Sequence, residues 1–242
     1  MKKRVFDVVL VVLAAVVWVP VLAVASLAVL VLSGRPVYYR SMRWVRAGEL
    51  VRVVKFRTMV RNADQIANRA TVPITTQRFL NIPPDSPLYT GVGRILEKLG
   101  LTEIPQLVHV IRGEMSIVGN RPLPDSVMQC LRDDFPYAEN RFLTRAGLTG
   151  PAQLVGRDAL TDSERLRLEG AYCQAAQHAY RWRLDFAILL YTVLIVAKVK
   201  KSLDYQGAMD LIARHSRKVR SHASIGEVLP HATESDSTLA VD

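Results

Sequence analysis

Cysteine is scarce in this sequence, and the two cysteines present follow no recognised spacing. Among 242 residues, Cys130 and Cys173 match neither a metal-binding pattern nor a disulfide framework. These absences exclude a disulfide-rich secreted fold and a zinc module. We therefore expect free thiols, in a domain on the reducing, cytoplasmic side of a membrane.

Charge is missing from one long stretch near the N-terminus. No charged residue occurs from Val8 to Leu32, and a helix of this length can reach across the hydrocarbon core of a bilayer. The stretch is longer than the apolar core of a signal peptide, and it has no small-residue cleavage site followed by a neutral sequence. We therefore expect it to remain in the mature protein.

The flanks of this apolar segment do not determine its orientation, because both are basic. "MKKR" precedes it and "GRPVYYRSMRWVR" follows it, so the positive-inside rule favours neither direction. Pro20 lies near its middle and removes one helical hydrogen bond. Two arrangements remain open: a re-entrant helix that breaks at Pro20 and leaves by the leaflet it entered, or a spanning helix with a proline kink.

Acidic residues are almost absent from the first sixty positions, where only Asp7 and Glu49 occur, and the whole chain has a net charge of +10. Such a distribution suits anionic lipid head groups or phosphorylated ligands. No aromatic-interleaved basic stretch, zinc spacing or helix-turn-helix pattern accompanies the charge. A membrane-tethered nucleic-acid binder is therefore the weakest hypothesis, and we expect no nucleic-acid partner.

The remaining elements follow from local pattern. "VRVVKFRTM" predicts a strand leading into a basic turn. Residues 62–93 predict a long loop that ends in the short helix "RILEKLG". "LTEIPQLVHVIRG" predicts a helix that stops at Gly113.

A second apolar segment, Leu184–Ala197, is flanked by aromatic and basic residues. It suits a helix at the membrane interface or packed on the first segment, with a buried core helix as the alternative.

Two glycine-containing segments, "GEMSIVGNRPLP" and "RAGLTGPAQLVGR", carry arginines in or beside them. Free backbone N–H groups in such turns, next to a guanidinium, can surround phosphate oxygens. Together they favour a phosphate-handling site.

The stretch "KLGLTEIPQL" allows two interpretations of its single carboxylate, Glu103. Thr102 can cap a helix whose first turn holds Glu103 and Pro105, which makes the glutamate a helix-start residue. Alternatively, Glu103 is a catalytic or metal-binding group. His109 on the same helix is interpreted as a packed residue rather than a ligand.

Seven segments in order resemble the bacterial sugar transferases, the monotopic phosphoglycosyl transferases. They are "KKRVFD", "GRPVYYR", "KFRTM", "TEIPQL", "RGEMSIVGNRP", "GLTGPAQLVGR" and "LDFAILLYTV", and they cover residues 3 to about 201. The resemblance implies transfer of a phosphosugar from a nucleoside diphosphate sugar, usually a UDP-sugar, to polyprenyl phosphate, with Mg²⁺ as cofactor. It also implies a re-entrant helix broken at a Ser-Pro pair, which here reads Val19-Pro20.

The resemblance also implies site residues. The family reads L-D-E-L-P-Q, with the aspartate as nucleophile; this sequence has Thr102 there and keeps Glu103. A threonine hydroxyl is a poor nucleophile without a base. Three routes therefore stay open: Glu103 attacks, Thr102 attacks with help from Glu103, or the lipid phosphate attacks directly while Glu103 holds the metal. Glu97 is a second departure, because members commonly have a phosphate-facing arginine there; Lys98 is an alternative contact.

The phosphate-binding set predicted from these motifs is Lys55, Arg57, Arg121, Arg145 and Arg157. We expect an α+β, mostly helical, membrane-associated fold with a re-entrant N-terminal helix and interfacial amphipathic helices. The expected divisions are a membrane helix over 1–33, a catalytic domain over 34–201 and a partly flexible extension over 202–242.

The expected function is phosphosugar transfer to polyprenyl phosphate at the cytoplasmic face of the bacterial inner membrane, which initiates a surface polysaccharide or glycan. The alternative is a catalytically impaired member that acts as a membrane scaffold in glycan assembly. Expected partners are the nucleotide sugar, the polyprenyl phosphate and membrane lipids, and the sequence leaves homo-oligomerisation open.

Overall fold

The computed structural model describes residues 2–67, 82, 86–156, 159–178 and 182–216, and excludes the side chains of residues 64 and 178. Its helices are α1 (Lys2–Leu13), α2 (Ala15–Ser33), α3 (Ala63–Ile66), α4 (Gly91–Lys98), α5 (Leu107–Arg112), α6 (Asp125–Asp134), α7 (Pro151–Val155), α8 (Asp162–His178), α9 (Trp182–Val196) and α10 (Tyr205–Ser216). Its strands are β1 (Tyr38–Arg46), β2 (Glu49–Phe56), β3 (Ser116–Val118) and β4 (Gly147–Thr149). Short 3₁₀ turns cover Ile104–Gln106 and Ala138–Phe142. The predicted mostly helical α+β class is confirmed.

The apolar segment forms two consecutive helices, and the boundary between them is Ala14. Pro20 lies inside α2, so the interruption falls six residues before the proline at which we predicted the break. The indole N–H of Trp18 donates to the carbonyl of Val11 across this boundary, at 2.9 Å. In the described part of the chain, α2 is the one helix long and apolar enough to cross a membrane.

Both helices of this segment contact the rest of the protein. The ammonium of Lys3 on α1 binds the Asp185 carboxylate on α9, and the buried Asp7 accepts hydrogen bonds from Ser116 and the N–H of Ile117 on β3. On α2, Ala25 and Val29 pack in a cluster with Phe56, Val92 and Leu96. The segment is therefore joined to the globular part at both of its ends.

Strands β1 and β2 form an antiparallel hairpin in which Tyr39 pairs with Lys55 and Arg43 with Val51. Because side chains alternate along a strand, Tyr39, Arg43 and Lys55 share one face. The predicted strand at "VRVVKFRTM" is confirmed as β2, whereas β1 was missed because its basic residues were interpreted as a membrane flank.

Strands β3 and β4 are parallel, with Ser116 opposite Gly147 and Val118 opposite Thr149. They lie in the largest core, which α7, α8, α9 and α10 complete. Helix α9 contacts α1, β3 and β4, and its Leu184 and Ile188 are buried in the largest core, so it has both the predicted contact with the first apolar segment and the buried face of the alternative, a core helix. Ala208 and Ile212 of α10 are buried in the same core, which therefore extends past residue 201.

Candidate active site

The segment that contains Thr102 and Glu103 is held against the end of β2. Thr90 caps α4 by accepting from the N–H of Gly93 at 3.0 Å. Gly93 is required there, because a Cβ at this position would lie 1.9 Å from the carbonyl oxygen of Thr58. After α4 ends, the carbonyl of Thr102 accepts from the N–H of Phe56 at 3.0 Å. This bond places Thr102 and Glu103 beside Lys55, the preceding residue on β2.

Thr102 does not cap the following helix. Its buried hydroxyl donates to Oε2 of Glu97 at 3.0 Å. The residue that precedes the 3₁₀ turn is Glu103, and its side chain makes no capping hydrogen bond. The capping interpretation is therefore wrong. The acceptor of the hydroxyl is Glu97 and not Glu103, the residue that would assist Thr102 in one of the three open routes. Glu97 reaches the segment from the last turn of α4.

Glu103 forms an ion pair with Arg121. Oε1 of Glu103 lies 2.8 Å from Nη2 of Arg121, and the two side chains keep 26% and 37% of their surface exposed. The Glu103 carboxylate, with a smaller contribution from Glu97, raises the pKa of the Arg121 guanidinium. Both residues were predicted from separate sequence motifs, and the structure brings them into contact.

Three cations surround these carboxylates. The pKa of Lys55 is lowered to about 8, mainly by burial and then by the positive charges of Arg43 and Arg121, while Glu103 and Glu97 act in the opposite direction. Burial and the charge of Arg121 likewise lower the pKa of Arg43. Such a concentration of positive charge is electrostatically costly without a bound anion. Clusters of this kind are typical of sites that bind phosphate groups. Lys55 also lies over the Tyr39 ring, with Nζ 5.4 Å from its centroid.

Arg57 lies outside this cluster, contrary to the prediction from "KFRTM". The side chain is buried, and it donates to the backbone carbonyls of Ser33, Gly34 and Pro36, the last at 2.7 Å. A guanidinium bound to the carbonyls that follow α2 stabilises the end of that helix. Arg57 thus anchors the apolar segment; it follows the end of β2 at Phe56, so the alternation of that strand does not place it beside Lys55.

The glycine-rich segments join β3 to β4 by close backbone approach. The N–H of Gly119 donates to the carbonyl of Thr149 at 2.8 Å, and that of Gly147 donates to the carbonyl of Asn120 at 2.9 Å. These N–H groups are therefore engaged, contrary to our expectation that they face phosphate. Arg145 lies beside this junction through its backbone, and Arg157 lies outside the described residues.

A buried ion pair supports the backbone of Arg121. Nε of Arg141 lies 2.7 Å from Oε2 of Glu169, and Nη2 of Arg141 donates to the backbone carbonyl of Arg121 at 2.9 Å. Both paired side chains are no more than 1% exposed. Asn120 adds a hydrogen bond from its amide to the carbonyl of Arg141. This network fixes the backbone at Arg121, and no local sequence pattern revealed it.

His109 is a packed residue, as predicted. It is buried, and Nε2 accepts from the N–H of Val54 at 3.2 Å, so Nδ1 carries the proton that faces the Glu114 carboxylate. Arg43 and Tyr39 are site residues that were not predicted from the sequence, and Glu97 was noted only as a departure from the family pattern. The alternation of β1 places Arg43 and Tyr39 on one face, but the pairing register of the hairpin sets them beside Lys55.

Comparison with known proteins identifies the family of this chain. The family model described as bacterial sugar transferase matches residues 1–199. The chain is 34% identical over 201 residues to the exopolysaccharide production protein ExoY of Sinorhizobium fredii, which covers 79% of this chain and 84% of that protein. It is 33% identical over 195 residues to the UDP-glucose:undecaprenyl-phosphate glucose-1-phosphate transferase of Caulobacter vibrioides. That alignment covers 80% of this chain and 68% of that protein.

A third relative is longer than this chain. The undecaprenyl-phosphate galactose phosphotransferase of Salmonella typhimurium is 30% identical over 203 residues, which are 81% of this chain and 40% of that protein. The family match extends from the apolar N-terminal helices through the ionic cluster to the end of α9. The chain therefore belongs to the bacterial sugar transferase family.

Proposed function

We propose that this protein transfers a sugar 1-phosphate from a nucleoside diphosphate sugar, of the UDP class, to polyprenyl phosphate, and so begins the assembly of a surface polysaccharide. Membership of the family and the names of its relatives support the reaction class, since two of them are named as undecaprenyl-phosphate sugar phosphotransferases and one as an exopolysaccharide production protein. The observation that carries the proposal is the cluster of Lys55, Arg43 and Arg121 beside Glu103 and Glu97.

In this proposal the cations bind the diphosphate of the donor. A diphosphate brings negative charge to the place where Lys55, Arg43 and Arg121 repel one another, so binding relieves that repulsion. Arg121 has a fixed backbone and a partner, Glu103, which together orient its guanidinium. Arg145 and Arg157 remain predicted contacts to the outer parts of the donor.

The carboxylates suit a magnesium ion. Mg²⁺ prefers oxygen ligands and in phosphoryl-transfer sites is held by one or two carboxylates together with substrate phosphates. Among the described residues no group of three acidic, histidine or cysteine side chains could hold a metal by itself, which agrees with a site that the donor completes. Glu103 would hold the ion, whose chemistry is to neutralise charge on the diphosphate oxygens.

We further propose that the apolar segment enters and leaves the membrane on one face. Lys3 near its start binds Asp185, and the carbonyls at its end bind Arg57, so both ends are attached to the same globular domain. A domain on one side of a bilayer requires both ends to lie on that side. The free cysteines and the basic flanks favour the cytoplasmic face of the inner membrane.

Helix α9 supplies a second membrane contact. Its exposed residues Trp182, Phe186, Leu190 and Val193 follow a spacing of three and four, which places them along one side of the helix. An aromatic and aliphatic stripe of this kind suits the interfacial region of a bilayer. We therefore propose that α9 lies at the membrane surface, close to where the polyprenyl phosphate would present its phosphate.

The reaction is tested by release of nucleoside monophosphate. The purified protein in lipid nanodiscs is mixed with Mg²⁺, polyprenyl phosphate and a panel of UDP-sugars, and UMP is measured. Arg121→Ala should lose UMP release, whereas the exposed Arg167→Ala on α8 should keep it. Donor binding without UMP release from any sugar would favour the alternative, a scaffold in glycan assembly.

A further inference from the structure

The Thr102 side chain is closed to a bound donor. Only 6% of this residue is exposed, and its hydroxyl donates to Oε2 of Glu97 at 3.0 Å. Its backbone carbonyl accepts from the N–H of Phe56 at 3.0 Å, which holds the segment against β2. A threonine hydroxyl attacks phosphorus only after a base has taken its proton, and a carboxylate is a weak base for that purpose. Thr102 is therefore placed to hold the segment together rather than to attack the donor.

The two carboxylates of the site are engaged with protein groups. Oε1 of Glu103 lies 2.8 Å from Nη2 of Arg121, and Oε2 of Glu97 accepts the Thr102 hydroxyl. Burial lowers the pKa of Lys55, and the charges of both carboxylates oppose that effect. To attack the donor, Glu103 would have to leave the guanidinium that binds the donor in the proposed reaction. These contacts suit carboxylates that keep the cations of the site in place.

The site also adjoins the membrane segment. Leu101, the residue before Thr102, packs in the cluster that Ala25 and Val29 of α2 form with Phe56. Phe56 and Lys55 are consecutive in β2, so their side chains point to opposite faces of the strand. The segment at Thr102 thus has α2 on one side and the cations on the other. A polyprenyl phosphate that lies along α2 and a donor that the cations bind meet at this segment.

The charge of the site suits two phosphate substrates at once. Three cations and two carboxylates act on one another here, which gives these side chains a net charge of +1 at neutral pH, because Lys55 keeps a pKa of about 8. An Mg²⁺ ion brings two more positive charges, and the donor diphosphate brings two negative ones. The donor complex therefore keeps a positive charge that attracts the phosphate of the acceptor.

Resting on the proposed function, we propose that polyprenyl phosphate attacks the donor directly, in a complex that holds both substrates, and that no sugar phosphate becomes bound to the protein. An ionised oxygen of the acceptor phosphate attacks the phosphorus that bears the sugar. The new O–P bond forms as the bond from that phosphorus to the nucleoside monophosphate breaks, and its electron pair leaves on the monophosphate oxygen. The products are the polyprenyl diphosphate sugar and the nucleoside monophosphate, and no proton has to move to the protein.

The first test asks whether the donor reacts in the absence of the acceptor. The protein in nanodiscs without polyprenyl phosphate is mixed with Mg²⁺, radiolabelled UMP and the UDP-sugar that supports turnover. We expect no label in the UDP-sugar and no gain in intact mass, whereas the complete mixture releases UMP. A mass gain of one sugar phosphate, or label in the UDP-sugar, would overturn the proposal and leave the proposed function standing. If the complete mixture releases no UMP from any donor, both fail.

The configuration at phosphorus gives an independent test. One in-line displacement inverts the phosphorus, whereas two successive displacements through a protein adduct retain its configuration. A donor that carries sulfur on the sugar-bearing phosphorus is chiral there, and the configuration of the lipid product is compared with it. We expect inversion, and retention would refute direct attack.

A variant separates the structural role of the Thr102 hydroxyl from a chemical one. Thr102→Val should turn over more slowly than the parent, because the bond to Glu97 is lost, but with the same inversion at phosphorus. The exposed Glu139→Gln is the control and should behave like the parent. A folded Thr102→Val protein that has lost all turnover would give the hydroxyl a direct chemical role, contrary to the proposal.

Discussion

Replacing Lys55 with methionine should stabilise the unliganded protein and weaken its binding of the donor. Because the pKa of Lys55 falls from 10.5 to about 8, its charged form destabilises the folded state by about 3 kcal/mol. The variant removes this cost and also loses the contact with the Tyr39 ring, worth about 0.5–1 kcal/mol. The expected net gain at pH 7 is about 2–2.5 kcal/mol, or roughly 4–10 °C in Tm for a chain of this size.

The dependence of this gain on pH follows from the direction of the pKa change. Below pH 8 Lys55 is charged in both the folded and unfolded states, so the cost is fully present. Between pH 8 and 10.5 the unfolded chain binds more protons than the folded one, and the stability of the parent should rise. Lys55→Met lacks this rise, so the difference between the two proteins should shrink as pH increases.

Thermal melts in detergent at pH 7 and pH 9.5, with and without the donor, measure these effects. The exposed Lys201→Met is the control and should melt like the parent at both pH values. Added donor should raise the Tm of the parent more than that of Lys55→Met, because the diphosphate compensates the charge that the variant lacks. A Lys55→Met protein that is less stable than the parent at pH 7, or a difference independent of pH, would refute the assignment of Lys55 to a repulsive cationic site.

Three further predictions follow from the site and its attachment to the membrane segment. Arg121→Ala should weaken nucleotide-sugar binding by about 1.5–3 kcal/mol, measured by calorimetry, and unchanged affinity in a folded variant would remove Arg121 from the site. Arg57→Met should lower the free energy of unfolding by about 2–4 kcal/mol while leaving donor affinity near the parent value, because its hydrogen bonds go to backbone carbonyls rather than to the site. Lys2→Cys and Arg40→Cys should both be labelled only from the cytoplasmic side of cells, and labelling of Lys2→Cys from outside would contradict the re-entrant arrangement.

Local pattern was sufficient for several elements of this protein. Strand β2, the short helix α4 and the stop of α5 at Gly113 follow from local pattern, which involves neighbours within a few residues, although α4 begins at Gly91, inside the segment predicted as a loop. The apolar N-terminal segment follows from length and the absence of charge. The motif resemblance identified Lys55, Glu103 and Arg121, because these residues occur in short segments that can be matched one at a time.

Other features depend on which strands face each other. Arg43 joins the site only because β1 pairs with β2 in a register that sets Tyr39 opposite Lys55, and the sequence of β1 also fits a basic membrane flank. The N–H groups of Gly119 and Gly147 were predicted to be free, but they pair two segments separated by 28 residues. No local rule distinguishes an N–H that faces a ligand from one that faces a distant carbonyl.

Residue type and spacing along the chain are enough to identify the apolar segment, the family and a set of charged candidates. The position of each candidate in the fold assigns its role. Lys55 and Arg57 are two residues apart in one motif, yet one enters the ionic cluster and the other binds the carbonyls at the end of α2, since β2 ends at Phe56, between the two residues. Likewise, Thr102 acquires Glu97 as its acceptor because the turn after α4 folds back on that helix, a contact that neither residue type nor spacing specifies.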